Sequence, residues 1–272
     1  MKICILLRVF NRIADLEANI SIINQRWKNY DYDILVVSNG REHGFTPPEQ
    51  IRNQVFRIVD LPNNSGHLSG NSQLLLAGCQ NIDFDAYGYI LILEADTWLC
   101  DDRIIKTYVE RLEASDAVWA SARWYDKFYS LATDFALIKS SFLKNHTDIF
   151  NFTEYPECFV CNYLVANGLK YIYIRENMPV GLPSYIRKYP YAPKRRFFLF
   201  PKSGMLTHHI ELLKRGMDEK KAFFNLLSGS KFFETPIRYS AFEKIKIRSA
   251  FLFQSIFIRR SWYSQRRYWK PE

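Results

Sequence analysis

Four aliphatic residues in a row, Ile90-Leu91-Ile92-Leu93, run directly into two carboxylates spaced one apart, Glu94-Ala95-Asp96. An unbroken apolar run of this length reads as a strand buried on both faces, the kind found in a mostly parallel sheet covered by helices. Such sheets take their ligands just past the carboxyl ends of their strands, where Glu94 and Asp96 fall. A carboxylate pair there suits a hard divalent cation, which prefers oxygen ligands and often shares its coordination with phosphate groups. The same residues admit a plainer reading, with Asp96 capping the next helix and Glu94 paired with a lysine.

The surrounding pattern agrees with such a sheet. Strand signals fall at 3–8, 33–37, 55–60, 89–93 and 117–123, and helical spacing at 15–27 (Leu16, Ile20, Ile23, Trp27), 70–78 and 101–112. This β-α-β alternation predicts a parallel, doubly wound sheet over the first 125 residues or so. No internal repeat interrupts it. The stretch 179–201 is rich in proline and basic residues and reads as a loop over the active-site face. At 272 residues the chain is long enough for a sizeable core. Its formal charge of +9 favours an anionic partner, whether a nucleotide, a phospholipid surface or nucleic acid.

The five cysteines, Cys4, Cys79, Cys100, Cys158 and Cys161, are scattered and odd in number, which fits a reducing compartment. Only Cys158 and Cys161 have C-x-x-C spacing, with no second pair to complete a zinc site. They read as two buried thiols on a helix, with a redox pair as the alternative. The start of the sequence lacks the length and cleavage site of a signal peptide, and no apolar run reaches the roughly 20 residues of a membrane span.

Four segments follow one another in a fixed order: Leu6-Leu7-Arg8-Val9-Phe10-Asn11-Arg12, Val36-Val37-Ser38-Asn39-Gly40, Pro62-Asn63-Asn64-Ser65-Gly66-His67-Leu68-Ser69-Gly70-Asn71, and Glu94-Ala95-Asp96. In that order they resemble the glycosyltransferases of GT-A fold, similar to the family 2-like, nucleotide-sugar-dependent enzymes. The first resembles their opening strand and nucleotide-binding loop, the second their second strand and polar turn. The third resembles the Asn-x-Gly segment near the donor diphosphate, and the fourth the acidic metal motif, usually Asp-x-Asp. The resemblance covers about residues 1–180. It implies donor contacts by Arg8, Asn11, Asn39, Asn64, Gly66, His67, Gly70, Glu94 and Ala95. It also implies a divalent cation, Mn2+ or Mg2+, held by Asp96 and neutralising charge on the leaving phosphate. Glu94 would then meet ribose or sugar hydroxyls. Gly66 and Gly70 would admit backbone close to phosphate, or else form a plain turn and a helix start. A late histidine often completes the metal or donor site in similar enzymes, which singles out His208 and His209; the pair equally reads as a helix start with one buried ring.

Inverting transfer needs a general base for the acceptor hydroxyl. In similar enzymes an acidic pair opens a helix about 60 residues after the metal motif. Here the pair has become Glu157-Cys158, in Tyr155-Pro156-Glu157-Cys158-Phe159. Glu157 is the first candidate base and Asp134 the second. Glu157 also reads as a first-turn carboxylate complementing the helix dipole.

From 242 to 270 the chain interleaves basic and large apolar residues, among them Lys244, Lys246, Arg248, Arg259 and Arg260 with Phe251, Leu252, Phe253, Ile256 and Trp262. This suits a basic amphipathic helix on a membrane surface, or near a lipid-linked acceptor; it also suits a helix packed back on the domain. Nucleic acid is a weak third option, without a recognised module.

The expected architecture is therefore an α/β GT-A (Rossmann-like), mostly parallel sheet flanked by helices, with a C-terminal helical extension. Residues 1–240 would form the catalytic domain, with 1–125 binding the nucleotide-sugar and 126–240 the acceptor, and 241–272 the extension. The expected activity is a metal-dependent hexosyl- or pentosyltransferase, inverting, as in polysaccharide biosynthesis. Its donor would be a UDP-sugar first and a GDP-sugar second, its acceptor a glycan or lipid-linked glycan. The expected location is cytoplasmic, peripheral on the membrane's cytoplasmic face. One rival is a nucleotidyltransferase, which would carry a Gly-rich loop after the first strand, whereas residues 8–12 contain no glycine. The other is a non-catalytic surface-binding or interaction protein of the same fold.

Overall fold

A computed structural model describes residues 1–125, 127–152, 154–177, 197–208, 213–261 and 267–270. The described residues divide into two units. Unit 1 is 1–95, 102–174 and 265–272, and unit 2 is 96–101 and 175–264. The two are interleaved along the chain.

Unit 1 is built on a seven-stranded sheet. Its strands are β1 (Lys2–Val9), β2 (Asp31–Ser38), β3 (Arg57–Asp60), β4 (Tyr89–Glu94), β6 (Ala117–Ser121), β7 (Phe135–Lys139) and β8 (Lys170–Tyr173), in the order β3-β2-β1-β4-β7-β6-β8. The four strands at one end, β3 to β4, are parallel; β7 runs antiparallel to both β4 and β6. This is a Rossmann-like α/β fold. The helices are α1 (Ile13–Arg26), α2 (His67–Cys79), α3 (Arg103–Glu113), the short α4 (Ser140–Leu143) and α5 (Pro156–Ala166).

The continuous apolar runs have the predicted consequence. Along β1 and β4, Cys4, Leu6, Ile90 and Ile92 join Leu74 and Leu75 of α2 and Val160 and Leu164 of α5 in one core. The alternate residues Ile3, Ile5, Leu7, Tyr89, Leu91 and Leu93 are equally buried and face the other side of the sheet, because side chains alternate along a strand. At the pole where α3 begins, the buried Asp102 carboxylate accepts from the backbone N–H groups of Lys28 (2.9 Å) and Asn29 (2.6 Å), the Asn29 amide (2.6 Å) and the Tyr32 hydroxyl (2.8 Å).

Unit 2 has a three-stranded sheet, β5 (Trp98–Leu99), β10 (Met205–His208) and β9 (Phe197–Phe200), in that order, with helices α6 (Gly216–Ser228) and α7 (Ala241–Ser261). Its apolar centre gathers Trp98 with Phe224 and Phe233. The basic, proline-rich loop lies largely outside the described residues.

Candidate active site

The strand order reverses direction between β1 and β4, since β2 and β3 lie on one side of β1 and β4 on the other. In open α/β sheets ligands bind in the crevice this reversal leaves, outside the carboxyl ends. Arg8, near the end of β1, is in register with Glu94, the last residue of β4. Arg8 Nη2 donates to Glu94 Oε1 at 2.8 Å, with the guanidinium side chain 1% exposed and Glu94 28% exposed. Arg8 Nη1 donates to Asn71 Oδ1 of α2 at 2.6 Å, and Nη2 also reaches the Thr133 carbonyl. Glu94 thus pairs with a buried arginine, where the plainer reading expects a lysine. The acidic turn is held from outside by Asn19 of α1, whose amide donates to the carbonyls of Glu94 (3.3 Å) and Ala95 (3.2 Å).

Along the same edge, β2 ends at the buried Ser38, and the buried Asn39 follows it. The Asn39 amide donates to the Gly70 carbonyl at 3.1 Å and to Gln73 Oε1 at 3.2 Å. Four buried polar atoms here have no hydrogen-bond partner among the described residues: Arg8 Nε, Ser38 Oγ, Asn39 Oδ1 and, at the end of β3, Asp60 Oδ1. Native folds leave few such atoms unsatisfied away from a ligand or water site.

The start of α2 closes this edge. Gly66 has φ +92°, a left-handed value that glycine adopts without strain, and its N–H donates to Asn64 Oδ1 at 2.6 Å. The Asn64 N–H in turn donates to Glu42 at 2.7 Å. A Cβ on Gly70 would lie 2.7 Å from Asn64 Oδ1 and 3.2 Å from Asn39 Nδ2, so a larger residue there would displace the Asn64 side chain. His67, the first residue of α2, is exposed, as is Asn11 beyond β1. The first turn of α2 presents its N–H groups and the positive end of its dipole, the arrangement that receives phosphate.

The candidate bases sit at the same end of the sheet. Asp134 precedes β7, is buried, and accepts the Glu94 N–H on its carbonyl at 2.9 Å. Glu157 follows Pro156 in the first turn of α5, and its carbonyl accepts the Leu131 N–H at 2.9 Å. Residues 131–134 therefore tie both sides together, with Leu131 on Glu157, Thr133 on Arg8 and Asp134 on Glu94. Three residues of chain span at most about 10 Å, so the start of α5 lies close to the end of β4. Burial first, and then the negative charge of Glu157, push the Tyr125 phenol upward.

Aromatic rings gather near the start of α5. Tyr155 meets Tyr125 edge-on at 6.0 Å and Trp269 at 5.4 Å. Tyr268 stacks on Tyr129 at 4.7 Å. The returning chain is fastened by a Phe128–Arg267 bridge and by the Asn162 amide, which donates to the Trp269 carbonyl at 2.8 Å. Tyr155 is 53% and Tyr268 47% exposed. The sequence at 267–270 reads as part of a helical extension; these residues instead run along 127–129 without helical structure, because stacked rings and backbone hydrogen bonds are available there. Cys158 and Cys161 are both free and buried. Burial, then Glu157, pushes the Cys158 thiol up to about 12, which suits the buried-thiol reading.

In unit 2, Asp96 is 9% exposed. Its carbonyl accepts from Lys220 Nζ at 2.6 Å, and that ammonium lies 4.3 Å from the Trp98 ring centroid. Lys220 is fully buried. In the sequence it sits within the charged run Met217-Asp218-Glu219-Lys220-Lys221. His208 ends β10, but its side chain and all of His209 lie outside the described residues. Among the described residues no three His, Cys, Asp or Glu side chains gather as a metal cluster. One carboxylate oxygen of Glu94 accepts from Arg8. One carboxylate suffices for Mg2+ or Mn2+ where diphosphate oxygens and water complete the coordination.

No protein-family model matches the chain, and no curated protein matches it. Among solved structures it is similar to S. aureus TarS, at 11% identity and TM-score 0.42, covering 59% of this chain and 33% of that one. It is also similar to TarS 1–349 in complex with UDP-GlcNAc, at 12% identity and TM-score 0.42, covering 59% of this chain and 52% of that one. A third is mannosyltransferase PcManGT from Pyrobaculum calidifontis in complex with GDP-Man and Mn2+, at 11% identity and TM-score 0.47, covering 96% and 72%. The matched region thus spans a third of the full TarS chain and about half of TarS 1–349. Likenesses this distant carry neither donor, metal nor acceptor across to this chain.

Proposed function

We propose that this chain transfers a hexosyl or pentosyl group from a nucleoside-diphosphate sugar to a glycan or lipid-linked glycan, with inversion. The observation that carries the reading is the Arg8–Glu94 pair in register at the switch point, with the start of α5 and Glu157 tied to the same sheet end through residues 131–134. The unsatisfied polar atoms at the ends of β1, β2 and β3 suit a nucleoside, and the first turn of α2 suits its diphosphate. Arg8 is buried and bonded within the fold, so its part is to position Glu94, Asn71 and the Thr133 carbonyl.

In the proposed reaction Glu157 takes the proton of an acceptor hydroxyl as that oxygen bonds to the anomeric carbon from the face opposite the diphosphate. The bond from that carbon to the phosphate oxygen breaks, and the nucleoside diphosphate departs. A divalent cation held by Asp96, when bound, would neutralise the departing charge. In this reading Glu94 meets ribose or sugar hydroxyls of the donor. Tyr155, Tyr268 and Trp269 support the acceptor, since sugar rings offer C–H faces to aromatic surfaces and hydroxyls to phenols. A UDP-sugar is the first donor in this reading, and a reducing, cytoplasmic setting suits five free, buried thiols.

Thermal unfolding with UDP, GDP, dTDP and CMP, each with and without Mn2+, tests the reading. A nucleotide at 100 times its dissociation constant adds about 2.7 kcal/mol. A shift with one diphosphate that grows with Mn2+ is expected; no shift with any nucleotide in folded protein would overturn the proposal.

A further inference from the structure

Helix α7 carries a surface that the transfer reading does not use. It opens with a capping box. Ser240 Oγ accepts the Glu243 N–H at 3.2 Å, and Glu243 accepts both the N–H and the hydroxyl of Ser240 at 2.8 Å. The helix then runs for 21 residues. Five of its large apolar side chains, Phe242, Ile245, Leu252, Phe253 and Ile256, are between 59% and 75% exposed. At the helical repeat these five fall within an arc of about 100°. Ile247 and Phe251, on the opposite arc, are buried. The helix is therefore anchored by one apolar face and shows a second to solvent. Exposed Lys246 borders the second face on one side, and exposed Arg248 and Lys244 follow on the other.

Exposed apolar residues scattered singly are ordinary, but a contiguous stripe bordered by charge marks an interaction site. Among the described residues no helix is long and apolar enough to cross a membrane. Basic residues flanking the stripe, on a chain of formal charge +9, complement a surface that is apolar within and negative at its boundary. We infer that α7 lies in the interface of an anionic phospholipid bilayer, with Phe242, Ile245, Leu252, Phe253 and Ile256 among the acyl chains and Lys244, Lys246 and Arg248 at the headgroups. This inference does not depend on catalysis.

Flotation of the full chain with vesicles of phosphatidylcholine alone, and of phosphatidylcholine with roughly one third phosphatidylglycerol, tests it. Wild type is expected to float with the anionic vesicles and to be released by high salt. The double variant Ile245→Ser/Phe253→Ser alters exposed positions only and is expected to bind about 10-fold more weakly. Lys246→Glu/Arg248→Glu is expected to lose the preference for anionic lipid. Wild type remaining unbound, binding both vesicles equally, or the serine variant binding as wild type would each overturn the inference. So would a stripe that holds two copies of the chain together, seen as a dimer by light scattering that the serine variant dissociates without any lipid effect. A nucleotide shift without flotation would sink this inference alone, and flotation without a nucleotide shift would sink the transfer reading alone.

Discussion

Arg8 contributes three hydrogen bonds from a side chain that water does not reach. Replacing it with methionine strips Glu94 of its counter-ion and leaves Asn71 and the Thr133 carbonyl without their donor. Loss of one partner of a buried ion pair costs about 3–5 kcal/mol; the low end is expected because Glu94 keeps partial access to water. Urea unfolding of Arg8→Met checks this, and an unchanged midpoint would refute the positioning role. Glu157→Gln is expected to lower kcat about 100-fold or more while leaving nucleotide-dependent stabilisation intact. If Asp134→Asn shows that split and Glu157→Gln does not, the base is Asp134. Glu94, Asp96, Asp134 and Glu157 are legible in the sequence because carboxylates at strand ends and helix starts stand out against apolar runs. Asn19, Asn71 and Thr133 are not, since their roles consist of hydrogen bonds to residues far away in sequence. Lys220 is hidden for the opposite reason, as a buried ammonium inside a charged run that looks solvated.

At the level of elements, the start of α2 depends on the absence of a side chain at residue 70. Gly70→Ala would press a methyl group against Asn64 Oδ1, the acceptor for the Gly66 N–H. Overpacking of this kind costs about 1–3 kcal/mol, and the knot that presents N–H groups at the α2 terminus would loosen. Calorimetry is expected to show a lower Tm together with a smaller nucleotide shift; a normal shift would separate this turn from donor binding. Strands β1, β2 and β4 and helices α1, α2 and α3 follow from periodicity because each buries a continuous set of apolar residues. The reversed direction of β7 does not follow, since a strand buried on both faces has the same pattern whichever way it runs. The two-residue β5 and four-residue β9 and β10 are too short for periodicity to register.

For the whole molecule, all five cysteines are buried thiols. Burial pushes Cys4 and Cys79 up from an ordinary 9.0 to about 12. A thiol whose folded value is raised gives stability below its unfolded value, and that stability is lost as pH climbs from 9 toward 12. The urea midpoint is therefore expected to fall across that alkaline range, and to fall less in Cys4→Ala/Cys79→Ala. Unit 1 also closes late in the chain's history. Tyr129 waits for Tyr268, and Phe128 for Arg267. A ribosome adds about 5–20 residues per second, so for something on the order of ten seconds the nascent sheet carries its carboxylates without the rings of Tyr268 and Trp269 on Tyr129 and Tyr155. Under the proposed transfer reading, a message truncated before Arg267 would yield a chain that keeps the seven strands of its sheet and still binds donor, with nowhere to rest an acceptor.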